Sequence, residues 1–146
     1  MKRLKIQKLT ETAKLPTKGS KYAAGWDLYA DISQPLVIAP HTTSLINTGI
    51  AIELPVCTFG AIYPRSGISV KRDLNLANCV AVIDEDYRGE VKIAIHNNGD
   101  RYQEITPGER IAQLVVQPYT LVSILERKEL SKTKRGNDGF GSTGRK

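Results

Sequence analysis

Short apolar segments recur about every ten residues along this chain, and most are ended by Pro, Gly or Asn. Many alternate apolar and polar residues or are rich in Val and Ile, which is typical of β-strands. No long stretch with helical spacing lies between them, as βαβ units would require. The predicted strands are residues 4–9, 36–38, 44–47, 50–54, 59–63, 80–83, 91–96, 111–116 and 121–125. We therefore predict an antiparallel, all-β fold, a distorted jelly-roll or β-sandwich barrel, with one short helical turn over residues 67–72.

The length of 146 residues favours a single domain that buries enough surface to fold unaided. In residues 1–14 no two apolar residues are adjacent, so the core of a signal peptide is missing there. We expect an intracellular protein, cytoplasmic and/or nuclear, without a membrane partner. Cys57 and Cys79 have apolar neighbours and no metal-ligand spacing, which favours buried, reduced thiols over a disulfide.

The net charge of +6 is concentrated at the two ends of the chain. Residues 1–21 hold seven basic and one acidic side chain, and residues 127–146 hold seven basic and two acidic ones. The residues in between are acidic, with seven basic and twelve acidic side chains. A nucleic-acid binder is expected to spread basic and aromatic groups over a folded face. We therefore predict no nucleic-acid partner, and a polynucleotide-binding module stays an alternative favoured only by the basic ends.

The C-terminal residues 135–144 place Arg135, Phe140, Ser142 and Thr143 among four glycines. Glycine lets backbone N–H groups approach phosphate oxygens, a guanidinium binds phosphate in a planar fork, and an aromatic ring stacks on a base. The same composition is also typical of a solvated terminus. We divide the chain into a core, residues 1–126, and a linker with a glycine-rich arm, residues 127–146.

The apolar residues 117–125, just before the linker, could pair with or pack on another subunit. The charged linker spans about 25 to 30 Å if extended. The arm could therefore serve a site on another copy of the chain.

Four earlier segments and the arm carry polar side chains in an informative order. They are residues 24–30 (AGWDLYA), 64–69 (PRSGIS), 78–90 (NCVAVIDEDYRGE), 108–114 (GERIAQL) and the arm with GFGSTG. Together they resemble the five motifs of the trimeric deoxyuridine triphosphatases (dUTPases), in order, over nearly the whole chain. The resemblance implies a homotrimer with shared active sites and flexible C-terminal arms. It also implies Mg²⁺-dependent hydrolysis of dUTP to dUMP and pyrophosphate, which limits uracil in DNA and supplies dUMP for dTMP synthesis.

Pro64, Arg65, Ser66 and Gly67 bring together a guanidinium, a hydroxyl and an unhindered backbone, which suit phosphate oxygens. An ordinary turn, with Ser66 as a cap and Arg65 paired to a surface carboxylate, fits the same residues. By the resemblance, Arg65, Ser66 and Gly67 bind the phosphates, with Ser66 at the bridging oxygen of the scissile bond.

Asp84 follows the apolar residues 82–83, and Gly89 lets the chain reverse, so we predict a β-hairpin. At the end of a buried run, partial desolvation would make Asp84 a competent proton acceptor. Alternatively, Asp84 and Asp86 only shape the turn or pair with Arg88. The resemblance assigns Asp84 to orient and deprotonate the water that attacks the α-phosphorus.

Asn78 offers a donor and an acceptor on one side chain, and Tyr87 offers a flat face, as selection of a pyrimidine deoxynucleoside requires. Tyr87 would also serve as ordinary packing. The resemblance places Tyr87 under the deoxyribose and assigns uracil to Asn78 and the hairpin backbone, including Val82. The chain departs from the family's common pattern at Ala77, Cys79 and Ala81. We expect these residues to alter uracil selectivity in degree.

By the resemblance, Mg²⁺ rides on the triphosphate and meets Asp27 and Gln113 through water, with no direct protein ligand expected. Asp27 also fits the role of a turn or strand-edge acid. His41 and His96 are isolated in the sequence, so no transition-metal site is predicted.

The resemblance assigns the charge-stabilising role of the arm to Arg135. It places Phe140 over the uracil, and Gly141, Ser142 and Thr143 join the substrate-binding residues. Each site would draw Asp27, the Pro64 segment and Gln113 from one subunit, the hairpin from a second and the arm from a third. Two enzyme or binding alternatives stay open: a dCTP deaminase-like nucleotide enzyme, and a non-catalytic regulator that binds dUTP.

Overall fold

The computed structural model describes residues 3–139, and within them it confirms an all-β fold with one short helix. No helix in this range has the length and apolar character needed to cross a membrane. The strands are β1 Lys5–Lys8, β2 Trp26–Tyr29, β3 Leu36–Ile38, β4 Thr43–Glu53, β5 Thr58–Tyr63, β6 Leu74–Leu76, β7 Ala81–Ile83, β8 Glu90–Asn97, β9 Gln103–Ile105 and β10 Arg110–Pro118, and the helix, α1, is Ser66–Arg72.

Two antiparallel four-stranded sheets enclose the core, one in the order β1-β4-β8-β6 and the other β2-β10-β5-β7, and β3 pairs with β9. The alternation in β8 shows how the core forms, because Val91, Ile93 and Ile95 are buried while Lys92 is exposed. Ile62 and Leu114 of the second sheet belong to the same buried cluster. Each such side chain stabilises the fold by roughly 1.5–3 kcal/mol. The two sheets are therefore held together by a shared apolar interior.

The two strands predicted at residues 44–47 and 50–54 are one strand, β4. Gly49 lies inside it with φ 65°, a conformation that favours glycine, and the pairing with β8 shifts between Asn47 and Ala51. The glycine therefore marks an irregularity within a continuous strand rather than its end. The prediction also missed β2, β6 and β9, which have only three or four residues and are too short to establish a period.

The predicted β-hairpin around residues 82–90 is wrong. β7 pairs with β5 in one sheet, whereas β8 pairs with β4 and β6 in the other, so residues 84–89 cross between the sheets. Gly89 is needed for packing, because a Cβ at this position would lie 2.4 Å from the hydroxyl oxygen of Tyr87. The sequence indicated a reversal of the chain but carried no signal for the change of sheet.

The strand predicted at residues 121–125 is absent: this segment is irregular and on the surface. Leu121 is 74% exposed and Ile124 is 98% exposed. A strand requires a neighbour to satisfy its backbone groups, and none of the strands formed within residues 3–139 pairs with this segment. Its apolar side chains are therefore uncovered in a single chain.

The two cysteines are free thiols, as predicted, but they are not buried. Cys57 is half-buried and Cys79 is exposed. Cys79 lies in the turn before β7, where the neighbouring Val80 is also 37% exposed. Apolar neighbours in the sequence therefore did not indicate burial here.

Candidate functional site

A buried carboxylate with two cationic partners lies where β2 and β10 pair. Asp27 Oδ1 accepts a hydrogen bond of 2.9 Å from Arg65 Nε, and Asp27 Oδ2 accepts one of 3.2 Å from Arg110 Nη1. Gln113 is the register partner of Asp27 on β10, so the two side chains share a face of the sheet. We call Asp27, Arg65, Arg110 and Gln113 the Asp27 cluster. Within this cluster the two guanidinium groups compensate the negative charge of Asp27, whose burial without a partner would cost free energy.

The end of β5 positions the phosphate-binding candidates beside this cluster. The carbonyl of Pro64 accepts a hydrogen bond of 3.0 Å from Gln113 Nε2, and Arg65 Nη1 donates to the carbonyl of Arg110 at 3.2 Å. Ser66 and Gly67 are exposed in the first turn of α1, and nothing lies within 4 Å of a Cβ built on Gly67. The structure therefore brings Asp27, Arg65 and Gln113 together, next to an open surface at Ser66 and Gly67.

The Asp27 cluster offers oxygen atoms of the kind that a hydrated Mg²⁺ accepts. Gln113 uses its N–H group on Pro64, and its Oε1 lies 2.5 Å from the point that a Cβ on Gly25 would occupy. The glycine thus leaves room around this oxygen. Within residues 3–139, no group of three or more His, Cys, Asp or Glu side chains lies close enough to hold a metal directly. The side chains of Asp27 and Gln113 share a face of the sheet, an arrangement that the water molecules of a hydrated ion could bridge.

Asp84 lies in different surroundings, in the lining of a cavity of about 740 Å³. Val82, Phe59 and Leu54 give this cavity an apolar side, and Arg88 is among its charged residues. We call it the Asp84 pocket. Asp84 itself is exposed in the single chain. The expected partial desolvation is therefore not provided within one chain, because β7 ends at the surface before the turn begins.

Two acidic side chains next to Asp84 are occupied by structural contacts. Glu85 Oε2 accepts hydrogen bonds from the backbone N–H of Cys57 at 2.7 Å and from the hydroxyl of Tyr119 at 3.0 Å. The bond to Glu85 raises the pKa of the Tyr119 hydroxyl. Glu53 Oε1 accepts a hydrogen bond of 2.7 Å from Lys5 Nζ, which lowers the pKa of Glu53. These two carboxylates therefore hold the wall of the pocket.

The candidates for nucleoside recognition lie on the surface of the same region. Asn78 is exposed in the turn between β6 and β7, and Val82 is 57% exposed on β7. Tyr87 is 43% exposed, and its hydroxyl donates to the carbonyl of Glu90 at 3.0 Å. Arg88 Nη1 donates to the carbonyls of Glu85 and Tyr87 at 2.7 and 2.9 Å. The turn is therefore fixed from within, and its outer faces are open.

One chain does not bring Asp84 to the Asp27 cluster. On β5, Tyr63 is the partner of Gln113, whereas Gly60 is the partner of Ile83, the residue before Asp84. Asp84 thus lies near the Phe59 end of β5, and the four residue steps from Phe59 to Tyr63 span roughly 13 Å. The two candidate halves of the site are at opposite ends of this strand.

The arm joins neither half in the described part of the chain. Arg135 is exposed, and its Nε donates to the carbonyl of Asp138 at 2.9 Å within a turn. The remaining candidates of the arm lie outside the described residues: Phe140, Gly141, Ser142 and Thr143.

Arg110 lies in the segment 108–114, but no role for it was predicted from the sequence. Its partner Asp27 is 83 positions away in the sequence, so only the pairing of β2 with β10 reveals the contact. In the sequence, Arg110 directly precedes the predicted apolar strand 111–116, and this position is the one hint of a role. An ordinary surface cation fits the same position.

Comparison with known proteins gives consistent matches over nearly the whole chain. The family model described as dUTPase matches residues 11–144. The deoxyuridine 5'-triphosphate nucleotidohydrolase of Hydrogenobaculum sp. (strain Y04AAS1) is 44% identical over 144 residues, which cover 99% of each chain.

Two solved structures are similar to this chain in fold. One is the dUTPase of Staphylococcus bacteriophage 80alpha, a mutant with the dUTP analogue dUpNHpp, at a TM-score of 0.85 and 27% identity over 97% of this chain and 98% of that chain. The other is a mutant dUTPase from phage phi11 of S. aureus, described with a structural Mg(II) ion, at a TM-score of 0.78 and 25% identity over 89% and 99% of the two chains. These proteins have the jelly-roll fold, which confirms the predicted fold class.

Proposed function

This chain belongs to the dUTPase family and is a dUTP diphosphatase, and from that premise we propose how its residues cleave dUTP to dUMP and pyrophosphate. The observation that carries the proposal is the Asp27 cluster, where side chains from three separate segments meet beside the open surface of Ser66 and Gly67. Guanidinium, hydroxyl and backbone N–H groups in one place suit a triphosphate.

The phosphates are bound by Arg65, Ser66 and Gly67, with Ser66 at the bridging oxygen of the bond that breaks. Asp27 and Gln113 would hold Mg²⁺ through water, since their oxygen atoms lie on one face of the sheet. Bound Mg²⁺ supplies positive charge that offsets the negative charge of the phosphate oxygens. The protein's own part is to fix the substrate in one orientation.

Asp84 acts as the general base. It takes a proton from a water molecule whose oxygen forms a bond to the α-phosphorus, while the bond from that phosphorus to the bridging oxygen breaks and pyrophosphate leaves. A carboxylate serves this role best when it is partly desolvated. Since Asp84 is exposed in one chain, the remaining cover is expected from another copy.

Asn78, the backbone at Val82 and the ring of Tyr87 recognise the uracil and the deoxyribose. Their support is their common position on β7 and the turns that flank it, and Val82 also lines the Asp84 pocket. Ala77, Cys79 and Ala81 lie on the same turn and strand. We expect them to adjust the degree of discrimination between uracil and other bases.

We propose a homotrimer in which each site combines residues from all three copies. Two observations support it: the roughly 13 Å of strand between the two candidate halves in one chain, and the uncovered apolar residues 121–125, with Ile124 98% exposed. The core, residues 1–126, supplies the two halves. The linker and arm, residues 127–146, bring Arg135, Phe140, Gly141, Ser142 and Thr143 from a third copy.

The cellular consequence would be a low dUTP concentration, which limits uracil in DNA, together with a supply of dUMP for dTMP synthesis. This role suits the cytoplasm, the nucleus or both.

A pyrophosphate-release assay with Mg²⁺ tests the reaction on dUTP, dCTP, dTTP and UTP. The expected result is turnover of dUTP alone. Ammonia release from dCTP would support the deaminase alternative, and dUTP binding without turnover would support the regulator.

A subunit-mixing experiment tests the shared site. Asp84→Asn protein and protein truncated after Lys134 are each expected to be nearly inactive. Unfolding and refolding them together at equal amounts should restore roughly a quarter of wild-type activity, because random assembly pairs an intact base with an intact arm in that share of sites. No recovery in the refolded mixture would contradict sites built from several copies.

A further inference from the structure

The helix α1 is weakly attached to the rest of the fold. It has seven residues, and Ile68 is the one whose side chain is buried, while Val70 is 82% exposed. A helix this short is not stable on its own, so its position depends on the contacts that it makes. Because Ser66 and Gly67 form its first turn, those contacts also decide where the phosphate-binding candidates lie.

The strongest polar attachment comes from the last residue of the helix, Arg72. Its Nε donates to Gln103 Oε1 at 3.1 Å, its Nη1 to Glu109 Oε1 at 2.5 Å, and its Nη2 to the carbonyl of Glu104. The side chains of Arg72 and Glu109 are only 27% and 22% exposed. A planar guanidinium that holds three acceptors fixes orientation as well as distance.

Glu109 extends this attachment toward the other phosphate-binding element. Its second carboxylate oxygen accepts hydrogen bonds from the backbone N–H of Thr106 at 2.9 Å and from the Thr106 hydroxyl at 3.3 Å. Its carbonyl accepts one of 2.8 Å from the N–H of Ala30, just after β2. These bonds fix the turn that leads directly into β10, the strand of Arg110 and Gln113.

We propose that Arg72 and Glu109 are positioning residues for the reaction, which hold α1 at a fixed place relative to β10. The inference rests on the function proposed above. Two other attachments each restrain one point: the N–H of Asn98 donates to the carbonyl of Asp73 at 2.8 Å just after the helix, and Arg65, just before it, bonds to Asp27 and to the carbonyl of Arg110. Without Arg72 the helix can therefore turn about the line through these two points, and the Ser66 hydroxyl and the backbone of Gly67 change direction relative to Gln113.

The test uses the full-length protein with Arg72→Met, Arg72→Lys and Glu109→Gln, and with Lys71→Met as a matched control. Lys71 is an exposed cation on the same helix. Three quantities are measured: kcat/KM for dUTP, the Kd of dUpNHpp, and the Kd of deoxyuridine, which has no phosphate. The thermal midpoint of each variant is recorded alongside.

We expect Arg72→Met to lower kcat/KM roughly tenfold to a hundredfold, the cost of misplacing a bound group by about 1 Å. It should weaken dUpNHpp but leave deoxyuridine binding unchanged, because the base is recognised at the turns around β7. Arg72→Lys should restore part of the loss, since one ammonium reaches Glu109 but cannot hold all three acceptors. Glu109→Gln, which keeps one of its two hydrogen-bonding oxygens, should give a smaller loss of the same kind, and Lys71→Met should behave as wild type.

Two results would overturn the inference alone: wild-type kcat/KM in folded Arg72→Met and Glu109→Gln proteins, or equal weakening of dUpNHpp and deoxyuridine binding. If Arg72→Met does not fold, the values of kcat/KM and of the two Kd for Glu109→Gln and Arg72→Lys test the inference instead. A wild-type protein that does not cleave dUTP would overturn the proposed function and the inference with it.

Discussion

Asp27 and Asp84 are the two carboxylates that matter most to the proposed site, and their surroundings in one chain are opposite. Asp27 is 9% exposed, and a guanidinium lies on each of its oxygens. Asp84 is exposed, beside a cavity whose charged residues include Glu53, Glu85 and Arg88. The polar partners of Asp27 are all supplied within one chain, whereas Asp84 is open to solvent.

The difference follows from where the backbone puts each residue. Asp27 and Gln113 are partners on the neighbouring strands β2 and β10, and folding buries Asp27 against the guanidinium groups of Arg65 and Arg110. Asp84 follows the end of β7, the edge strand on the other side of the same sheet, and is exposed. In our proposal a single chain builds the phosphate half of the site, and other copies complete the half that holds the base.

The largest effect on activity is expected from removing the arm, which we propose reaches the Asp84 side of the site from another copy. Truncation after Lys134 removes Arg135 and the rest of the arm, and we expect kcat to fall ~10³-fold or more, the size of effect an arginine on transferring phosphates contributes. The thermal midpoint should be unchanged, because Arg135 makes its described contacts within the arm. Pyrophosphate release and a thermal melt check both parts. Full activity in the truncated protein would refute the role given to the arm.

Asp84→Asn tests the exposed carboxylate directly. We expect kcat to fall roughly 10²- to 10⁴-fold, the usual contribution of a general base, with the affinity for dUpNHpp retained. Stability should not change, since Asp84 is exposed and the turn is held by the contacts of Glu85 and Arg88. Turnover within tenfold of wild type would mean that another group takes the proton.

The sequence predicted what is local and missed what is distant. Strands with clear alternation, such as β8, and the helical turn at α1 were predicted because period and turn residues lie within a few positions. The pairing of β7 with β5 and the contact of Arg72 with Glu109 join residues far apart in the sequence, and no local pattern specifies them. Residues 121–125 failed as a strand for another reason: their composition is apolar and β-prone, but no strand among residues 3–139 pairs with them.

Gly25→Ala tests how tightly the closed half is built. A Cβ at this position would lie 2.5 Å from Gln113 Oε1, so the amide must move away from its place beside Asp27. We expect kcat/KM for dUTP to fall about tenfold, as for a displaced binding group, and the Mg²⁺ requirement to rise. Gly19→Ala is the matched control, because nothing lies within 4 Å of its Cβ. Equal behaviour of the two variants would show that the position of Gln113 is not critical.

The smallest effect is expected for an ion pair at the rim of the Asp84 pocket, where Lys5 Nζ lies 2.7 Å from Glu53 Oε1. The hydrogen bond from Lys5 lowers the pKa of Glu53 below its ordinary value, about 4.3 in an unfolded chain. A carboxyl group whose pKa is lowered by folding stabilises the protein above the unfolded pKa, and this stabilisation is lost as the pH falls through the folded pKa. Glu53→Gln should therefore lower the urea midpoint slightly at pH 7 and not at pH 3.

The difference in urea midpoint between wild type and Glu53→Gln should also depend on salt, since the side chains of Lys5 and Glu53 are 71% and 45% exposed. In 1 M NaCl the difference at pH 7 should shrink, whereas the half-buried pairs of Asp27, whose side chain is 12% exposed, are screened much less. Asp27→Asn, measured in the same way, should then keep its destabilisation in high salt. A salt-independent effect at Glu53, or an effect that persists at pH 3, would mean that packing rather than charge connects β1 to the rim of the pocket.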